Sequence, residues 1–329
     1  MTLDRTSNPS AETPRPSASL LIAAPWQRPS DTSSSSSSNN NEDAMDYRLL
    51  MMKRSARGVF SSGTVDEADR QDNWSSLFAT TAANCADLAY RICALRETFE
   101  ESGILFTEPS AIIDRFSSDQ LADWRKQVYA NPRRFFELCE QHKLRPAIDR
   151  LVYFQRWITP AAEKRRFDTR FYFIALTERE SRALGALTSS SYAASAMTMP
   201  QFHDGGETVA SVWYTPRESL AAYQHKHIDV MPPQWCLLDD LSRMARLADA
   251  VAQLGAQPVA TYMPEFHRAS EQHIYAVLPD DWRHTTSNAD KTARPVHQLD
   301  FQVEGKIARI QRRIRSATNA SSLDHPSKL

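Results

Sequence analysis

The sequence predicts an α/β fold, on three observations. Short runs rich in aliphatic and aromatic residues, such as Ser17–Ala24 and Thr208–Tyr214, read as strands. Between them lie segments with apolar residues at helical spacing, chiefly Leu88–Phe106 and much of 115–160. Apolar residues are 41% of the 329 and aromatics 9%, enough for a sizeable core in one large domain or two small ones.

Taken in order, residues 1–16 are polar and Pro/Ser-rich and read as a disordered N-terminus. Ser17–Ala24 (SASLLIAA) is a strand. Residues 31–44 are low in complexity, with Ser33–Ser38 followed by Asn39–Asn41, and contain almost nothing that can pack. Tyr47–Arg54 is a second strand, so the two strands read as a hairpin with an enlarged connection. Residues 64–85 are acidic and irregular, and a helix follows from about Asp87 to Ser102. Residues 115–160 read as a helical insertion, with Leu121, Trp124, Val128, Phe135, Phe136 and Cys139 at near-helical spacing and Pro160 closing it. Arg166–Ala175 is aromatic-rich and reads as a strand, 180–204 as a Ser/Ala-rich loop, and Thr208–Tyr214 as a further strand. Pro216 opens a helix through Tyr223, with Glu218 in its first turn; Pro232-Pro233 start another over 234–254. The main domain is thus expected over 17–284, and 285–329 as a polar, loosely held tail. In that tail Lys306, Arg309, Arg312, Arg313 and Arg315 would form a solvated basic helix face.

Composition excludes several classes. Thirty-nine basic and 40 acidic residues leave a net charge of −1, which argues against a general nucleic-acid binder. No apolar run approaches the ~20 residues of a membrane span, and no basic-then-apolar leader opens the chain. Cys85, Cys93, Cys139 and Cys236 lack metal-site spacing and read as reduced thiols. Only 8 glycines occur, and neither common glycine-rich phosphate cradle is among them. Phosphate chemistry would therefore rest on metal ions and side chains. His225 and His227 would share one side of a strand, with no third ligand evident; Asp239 and Asp240 read as helix-surface carboxylates.

Leu88–Phe106 (LAYRICALRETFEESGILF) is the informative segment. At about 100° per residue, Leu88, Ile92, Leu95 and Phe99 form one stripe, and Glu97, Glu100 and Glu101 cluster opposite. Such a face is either acidic and solvated or a site for a hard cation such as Mg²⁺, which takes oxygen ligands. Gly103 would end the helix.

The order of residues decides between these readings. Arg96-Glu97-Thr98-Phe99-Glu100-Glu101-Ser102-Gly103-Ile104 resembles the Nudix box, Arg-Glu-U-x-Glu-Glu-x-Gly-U with U aliphatic, departing at Thr98. Arg91–Leu95, Val65–Asp69, Arg166–Phe171, Trp213-x-Thr215-Pro216-x-Glu218-Ser219-Leu220 and Pro232–Trp235 resemble the peroxisomal (acyl-)coenzyme A diphosphatase branch of the Nudix hydrolase superfamily. The resemblance spans roughly residues 17 to 245.

This resemblance implies a Nudix α/β/α sandwich with a mixed β-sheet. It implies Mg²⁺- or Mn²⁺-dependent hydrolysis of the diphosphate of coenzyme A or acyl-coenzyme A. The products would be adenosine 3′,5′-bisphosphate and (acyl-)4′-phosphopantetheine. Glu100 and Glu101 match the main metal ligands, Glu97 a ligand or general base, and Arg96 an orienter that reaches Glu100. Glu207 stands where relatives often carry an accessory acid. The chain departs from the branch before Val65, where Ser61-Ser62-Gly63 replaces Pro-Gly-Gly; a deletion that removes the preceding strand is the favoured reading. Gly63 is then the candidate to bring a backbone carbonyl to the metal. Leu88 replaces an earlier glutamate. Two alternatives stay open: a domain that binds a coenzyme A-like ligand or a protein without hydrolysis, and a hydrolase of another nucleoside diphosphate derivative. The terminal Ser327-Lys328-Leu329 predicts recognition by the peroxisomal import receptor and a peroxisomal location.

Overall fold

A computed structural model of the chain describes residues 12–26, 44–54, 57–59, 61–78, 85–114, 116–185, 196–197, 210–270, 273–288, 292, 294–304 and 307–315. They fall into two compact units: Arg15–Arg156 with Asp168–Ala260, and a second built from Trp157–Phe167 and the chain after Ala260 together with the N-terminal residues.

The larger unit is organised around strand β1 (Arg15–Pro25), whose eight central residues are all buried. A strand apolar on both faces belongs inside a sheet covered on both sides. It pairs antiparallel with β2 (Tyr47–Arg54) through Ala23↔Leu49 and with β4 (Ser61–Thr64) through Ala18↔Gly63; β3 (Arg57–Val59) pairs with β2. The hairpin expected from the sequence is present, and its connection at 27–43 lies outside the described residues.

After β4 come two 3₁₀ turns at Glu67–Arg70 and Asp72–Leu77, then helix α1 (Leu88–Ser102). Helices α2 (Ala111–Asp114), α3 (Ser118–Ala130) and α4 (Arg133–Gln141) follow, flanked by the short pair β5 (Thr107–Glu108) and β6 (Arg145–Pro146). Strands β7 (Val152–Ile158) and β8 (Phe167–Ala175) return the chain to the sheet. Helix α5 (Glu178–Ala183), β9 (Ala196–Met197), β10 (Ala210–Tyr214), α6 (Pro216–Gln224), α7 (Pro232–Leu241) and α8 (Leu247–Ala256) complete the unit.

The strand order runs β7–β8–β1–β2–β10–β9. Ser17 meets Thr169, and Leu176 N–H donates to Ala23 O at 2.8 Å, so β8 runs parallel to β1 in an otherwise largely antiparallel, and hence mixed, sheet. Ala18, Leu20, Ile22 and Ala24 pack with Ile92, Leu95 and Phe99 of α1 on one face. On the other, Tyr47 hydroxyl donates to Leu241 O of α7 at 3.1 Å. The α/β/α layering is therefore as expected.

Several expectations are corrected. The 115–160 block is helical only to Gln141; Val152–Ile158 is a strand, and its β-branched and aromatic residues Val152, Tyr153, Phe154, Trp157 and Ile158 suit a sheet. Glu178–Ala183 is a helix, not loop, started by a capping box between Thr177 and Glu180. The single helix expected over 234–254 is two, α7 and α8, separated at 242–246. The strand thought missing before Val65 is formed by Ser61–Thr64. His225 and His227 lie in the turn after α6 rather than on a strand.

The second unit corrects the reading of the tail as far as Arg315; residues 316–329 lie outside the described residues. The chain leaves through β11 (Ala260–Tyr262), and β12 (Glu265–Arg268), β13 (His273–Val277), β14 (Val296–Glu304) and β15 (Ile307–Arg315) form an antiparallel sheet in that order. Arg309, Arg312, Arg313 and Arg315 thus stand on a strand, and Lys306 lies outside the described residues. Hydrophobic positions Leu299, Phe301 and Ile310 supply the buried face of a hairpin whose polar composition concealed its period.

Candidate active site on the glutamate helix

Helix α1 starts after Asp87 and stops at Gly103, whose φ of 74° is the left-handed turn that glycine tolerates; its N–H donates to Phe99 O at 2.8 Å. Ile92, Leu95 and Phe99 are buried against β1, as the stripe predicts, and Leu88 is partly buried. The opposite face is not solvated: the Glu97 and Glu100 side chains retain only 16% and 10% of their exposure. An ordinary acidic surface stripe would not be covered in this way.

Arg96 is the hub of the site. Its side chain is 3% exposed and grips both oxygens of Asp69 at 2.8 Å through Nε and Nη2. Its Nη1 donates to Glu97 at 2.8 Å and to Glu100 at 2.7 Å, and Nη2 donates to Thr64 O at 3.2 Å. Burial opposes the Arg96 charge, but hydrogen bonds and the charges of Asp69 and Glu97 outweigh it and hold the guanidinium protonated. Burial pushes Glu100 up to about 7, against the pull of Arg96 and with the help of Glu97.

Asp69 was not among the expected site residues, although it closes the Val65–Asp69 segment that carries part of the resemblance. The segment has a local job. Asp66 accepts from Ala68 N–H at 2.8 Å, and Asp66 N–H donates to Asp69 at 2.9 Å, a reciprocal cap that aims Asp69 at Arg96. Trp74, fully buried, donates to Ala68 O at 2.8 Å and anchors the turn.

Gly63 faces the glutamates from β4. A Cβ at this position would lie 1.9 Å from the Glu97 carboxyl carbon, so only glycine leaves that carboxylate its place against the strand. Its carbonyl oxygen lies 3.6 Å from Cys93 Sγ, and the neighbouring Ser62 N–H donates to Glu101 at 3.3 Å. The structure thus brings Gly63, Arg96, Glu97, Glu100 and Glu101 together. Glu207, Ser327, Lys328 and Leu329 lie outside the described residues.

Chemically the donors are hard: three carboxylates and adjacent backbone, suited to Mg²⁺ or Mn²⁺. The space beside Gly63 is taken by the Glu97 carboxylate itself. Among the described residues no three His, Cys, Asp or Glu side chains are gathered in a metal-holding group; Glu97 and Glu100 both turn to Arg96 instead.

A family model described as the NUDT19 Nudix domain matches residues 81–244. The solved structure of a NUDIX hydrolase from Alicyclobacillus acidocaldarius superposes with a TM-score of 0.53 at 19% identity, over 75% of this chain and 99% of that one. The matched domain places residues 81–244 among the Nudix hydrolases, and the solved structure shares the fold. Within that class it resembles the acyl-coenzyme A diphosphatase branch. It is 28% identical over 285 residues to the Homo sapiens protein named acyl-coenzyme A diphosphatase NUDT19, covering 71% of this chain and 70% of that protein. The Xenopus laevis protein of the same name is 25% identical over 291 residues, with 72% and 71% covered. A Caenorhabditis elegans protein named putative nudix hydrolase 7 is 27% identical over 210 residues, with 61% and 57% covered.

Proposed function

We propose that this chain hydrolyses the diphosphate of coenzyme A or acyl-coenzyme A, yielding adenosine 3′,5′-bisphosphate and (acyl-)4′-phosphopantetheine, with Mg²⁺ or Mn²⁺. The observation that carries the proposal is the Arg96-centred face of α1, covered by β4 and built from Asp69, Glu97, Glu100, Glu101 and Gly63. Glu100 and Glu101 would hold the cation, with Glu97 as a further ligand or as the base that takes a proton from the attacking water. A bound divalent cation lowers the pKa of that water and neutralises charge on the diphosphate oxygens. Arg96 keeps Glu97 and Glu100 oriented, and Asp69 keeps Arg96 from turning away. Burial around Glu100 favours its neutral form, so a cation held there would displace a proton.

The test is product analysis of the purified protein with coenzyme A and Mg²⁺, beside Glu97→Gln. Adenosine 3′,5′-bisphosphate formed by the parent and lost in the variant supports the reading. Coenzyme A binding without product would favour a ligand-binding Nudix domain instead, the reading that Ser61-Ser62 in place of Pro-Gly suggests. The location that goes with this function is the peroxisome, reached through Ser327-Lys328-Leu329 and the import receptor.

A further inference from the structure

One cation on the α1 side of the sheet has no role in the glutamate cluster. The Arg170 guanidinium of β8 stacks 3.7 Å from the Tyr90 ring centroid and lies 5.5 Å from that of Tyr153. Its Nε is buried and makes no hydrogen bond among the described residues. The acids nearby are engaged by other arginines: Asp168 pairs with Arg156 at 2.6 Å and Asp87 with Arg91 at 2.9 Å. Ring faces stabilise the charge but accept little from the N–H edge, and a buried donor of a charged group left unsatisfied is costly. Arg170, Tyr90 and Tyr153 are all partly exposed, although Nε itself is covered.

The position relates this cation to the glutamates. Thr169 contacts Ser17 at 2.6 Å, while Tyr172 and Ile174 join the core under α1, so Arg170 shares the α1 face with Gly63. Tyr90 precedes Glu97 by two helical turns, about 10 Å along α1. From β4 across β1 to β8 is two strand spacings, again about 10 Å.

We propose that Arg170, held flat by Tyr90, receives the second phosphate of a nucleoside bisphosphate substrate, the one on the sugar rather than in the scissile diphosphate. A guanidinium edge matches phosphate oxygens two at a time, and the ribose bridges the gap to the glutamate face. Tyr153 lies beside the cation as a wall for the nucleoside. Arg170 is thereby a specificity-determining residue that separates coenzyme A from diphosphates without a sugar phosphate. The inference rests on the coenzyme A reading above.

The experiment compares Arg170→Gln and Arg170→Lys with the parent on coenzyme A and on 3′-dephospho-coenzyme A. In parallel, binding of adenosine 3′,5′-bisphosphate and of adenosine 5′-monophosphate is measured by calorimetry. Arg170→Gln should raise KM for coenzyme A by about 10- to 100-fold, leave kcat nearly unchanged and spare the dephospho substrate. Arg170→Lys, which keeps the charge and loses the planar fork, should fall between. The bisphosphate should lose affinity in step while the monophosphate does not. Equal losses on both substrates, or none on either, would overturn the proposal. If the parent hydrolyses neither substrate, the functional reading fails, and the two nucleotides still decide the role of Arg170. Should the glutamine variant not fold, the lysine variant carries the comparison.

Discussion

At the scale of single residues, the site depends on one missing atom and one shared cation. Gly63 lies where any side chain would meet the Glu97 carboxylate, so Gly63→Ala must displace the carboxyl end of a flexible side chain and not the backbone. The expected outcome is a fall in kcat/KM of at least about 100-fold with a melting temperature within a few degrees of the parent, because a misplaced catalytic group costs rate steeply. A variant with parental activity would remove Gly63 from the site. Glu100→Gln and Glu101→Gln test the two residues proposed to hold the cation. Burial already raises Glu100 to about 7, so neutralising it should cost the metal-free fold little. Mg²⁺ affinity should drop about 10-fold or more, since carboxylates hold the ion far better than amides. Calorimetric titration beside melts of the metal-free proteins separates this from a structural role, in which stability falls and no metal response exists to lose. At this scale Glu97, Glu100, Glu101 and Arg96 could be read from their order along one helix. Asp69 could not be assigned as the partner of Arg96, because nothing in its spacing says which side chain it meets 27 residues away.

At the scale of elements, α1 is held at its C-terminal end by a group distant in sequence. Arg125 of α3 donates to Glu100 O at 2.6 Å and to Glu101 O at 2.7 Å, closing carbonyls that the helix itself leaves open. Arg125→Ala should therefore lower stability by about 1.5–3 kcal/mol, the range for charge-assisted hydrogen bonds, measured by urea unfolding. A change within error would mean that water replaces the cap at no cost. Helix α5 has a comparable tie: Glu180, its side chain 2% exposed, accepts from Arg150 at 2.7 and 2.8 Å and from Ser110 and Thr177. Burial alone would raise its pKa, but these donors outweigh it and lower Glu180 to about 2. Its contribution is therefore complete above the ordinary carboxylate value of about 4.5 and is lost as pH falls through about 2. The difference corresponds to about 3 kcal/mol at pH 7, so Glu180→Gln should destabilise by roughly that amount there. The gap between the two proteins should close as unfolding is repeated from pH 5 down to pH 2; a gap independent of pH would show that packing, not charge, is at work. Elements with strong local grammar, such as β1, β2, α1 and α6, were legible in the sequence. Strand β7 and the β14–β15 hairpin were not, since their alternation is interrupted by polar and basic residues that a sheet accommodates on its open face.

At the scale of the whole molecule, the chain comprises the Nudix unit and a second unit with its own antiparallel sheet. That sheet carries polar ties of its own: Asp300 on β14 meets His273 at 2.8 Å and Gln298 at 2.7 Å. The terminal tripeptide makes a prediction at this scale. An N-terminal fluorescent fusion should give punctate signal that coincides with a peroxisomal marker and disperses when Leu329 is removed. Puncta that survive the deletion would dismiss the tripeptide as the address. The sequence by itself determined the α/β class, the Nudix helix with its stop at Gly103, and the order of Arg96, Glu97, Glu100 and Glu101 along that helix, because each is written in contiguous residues where spacing alone carries the physics. Only the tertiary structure decided that the glutamate face is covered, that Asp69 locks Arg96, that Gly63 makes room for Glu97, and that Arg170 lies on the same side as the glutamates. Each of these joins residues brought together by strand pairing and packing, and burial converts an exposed-looking charge pattern into a site.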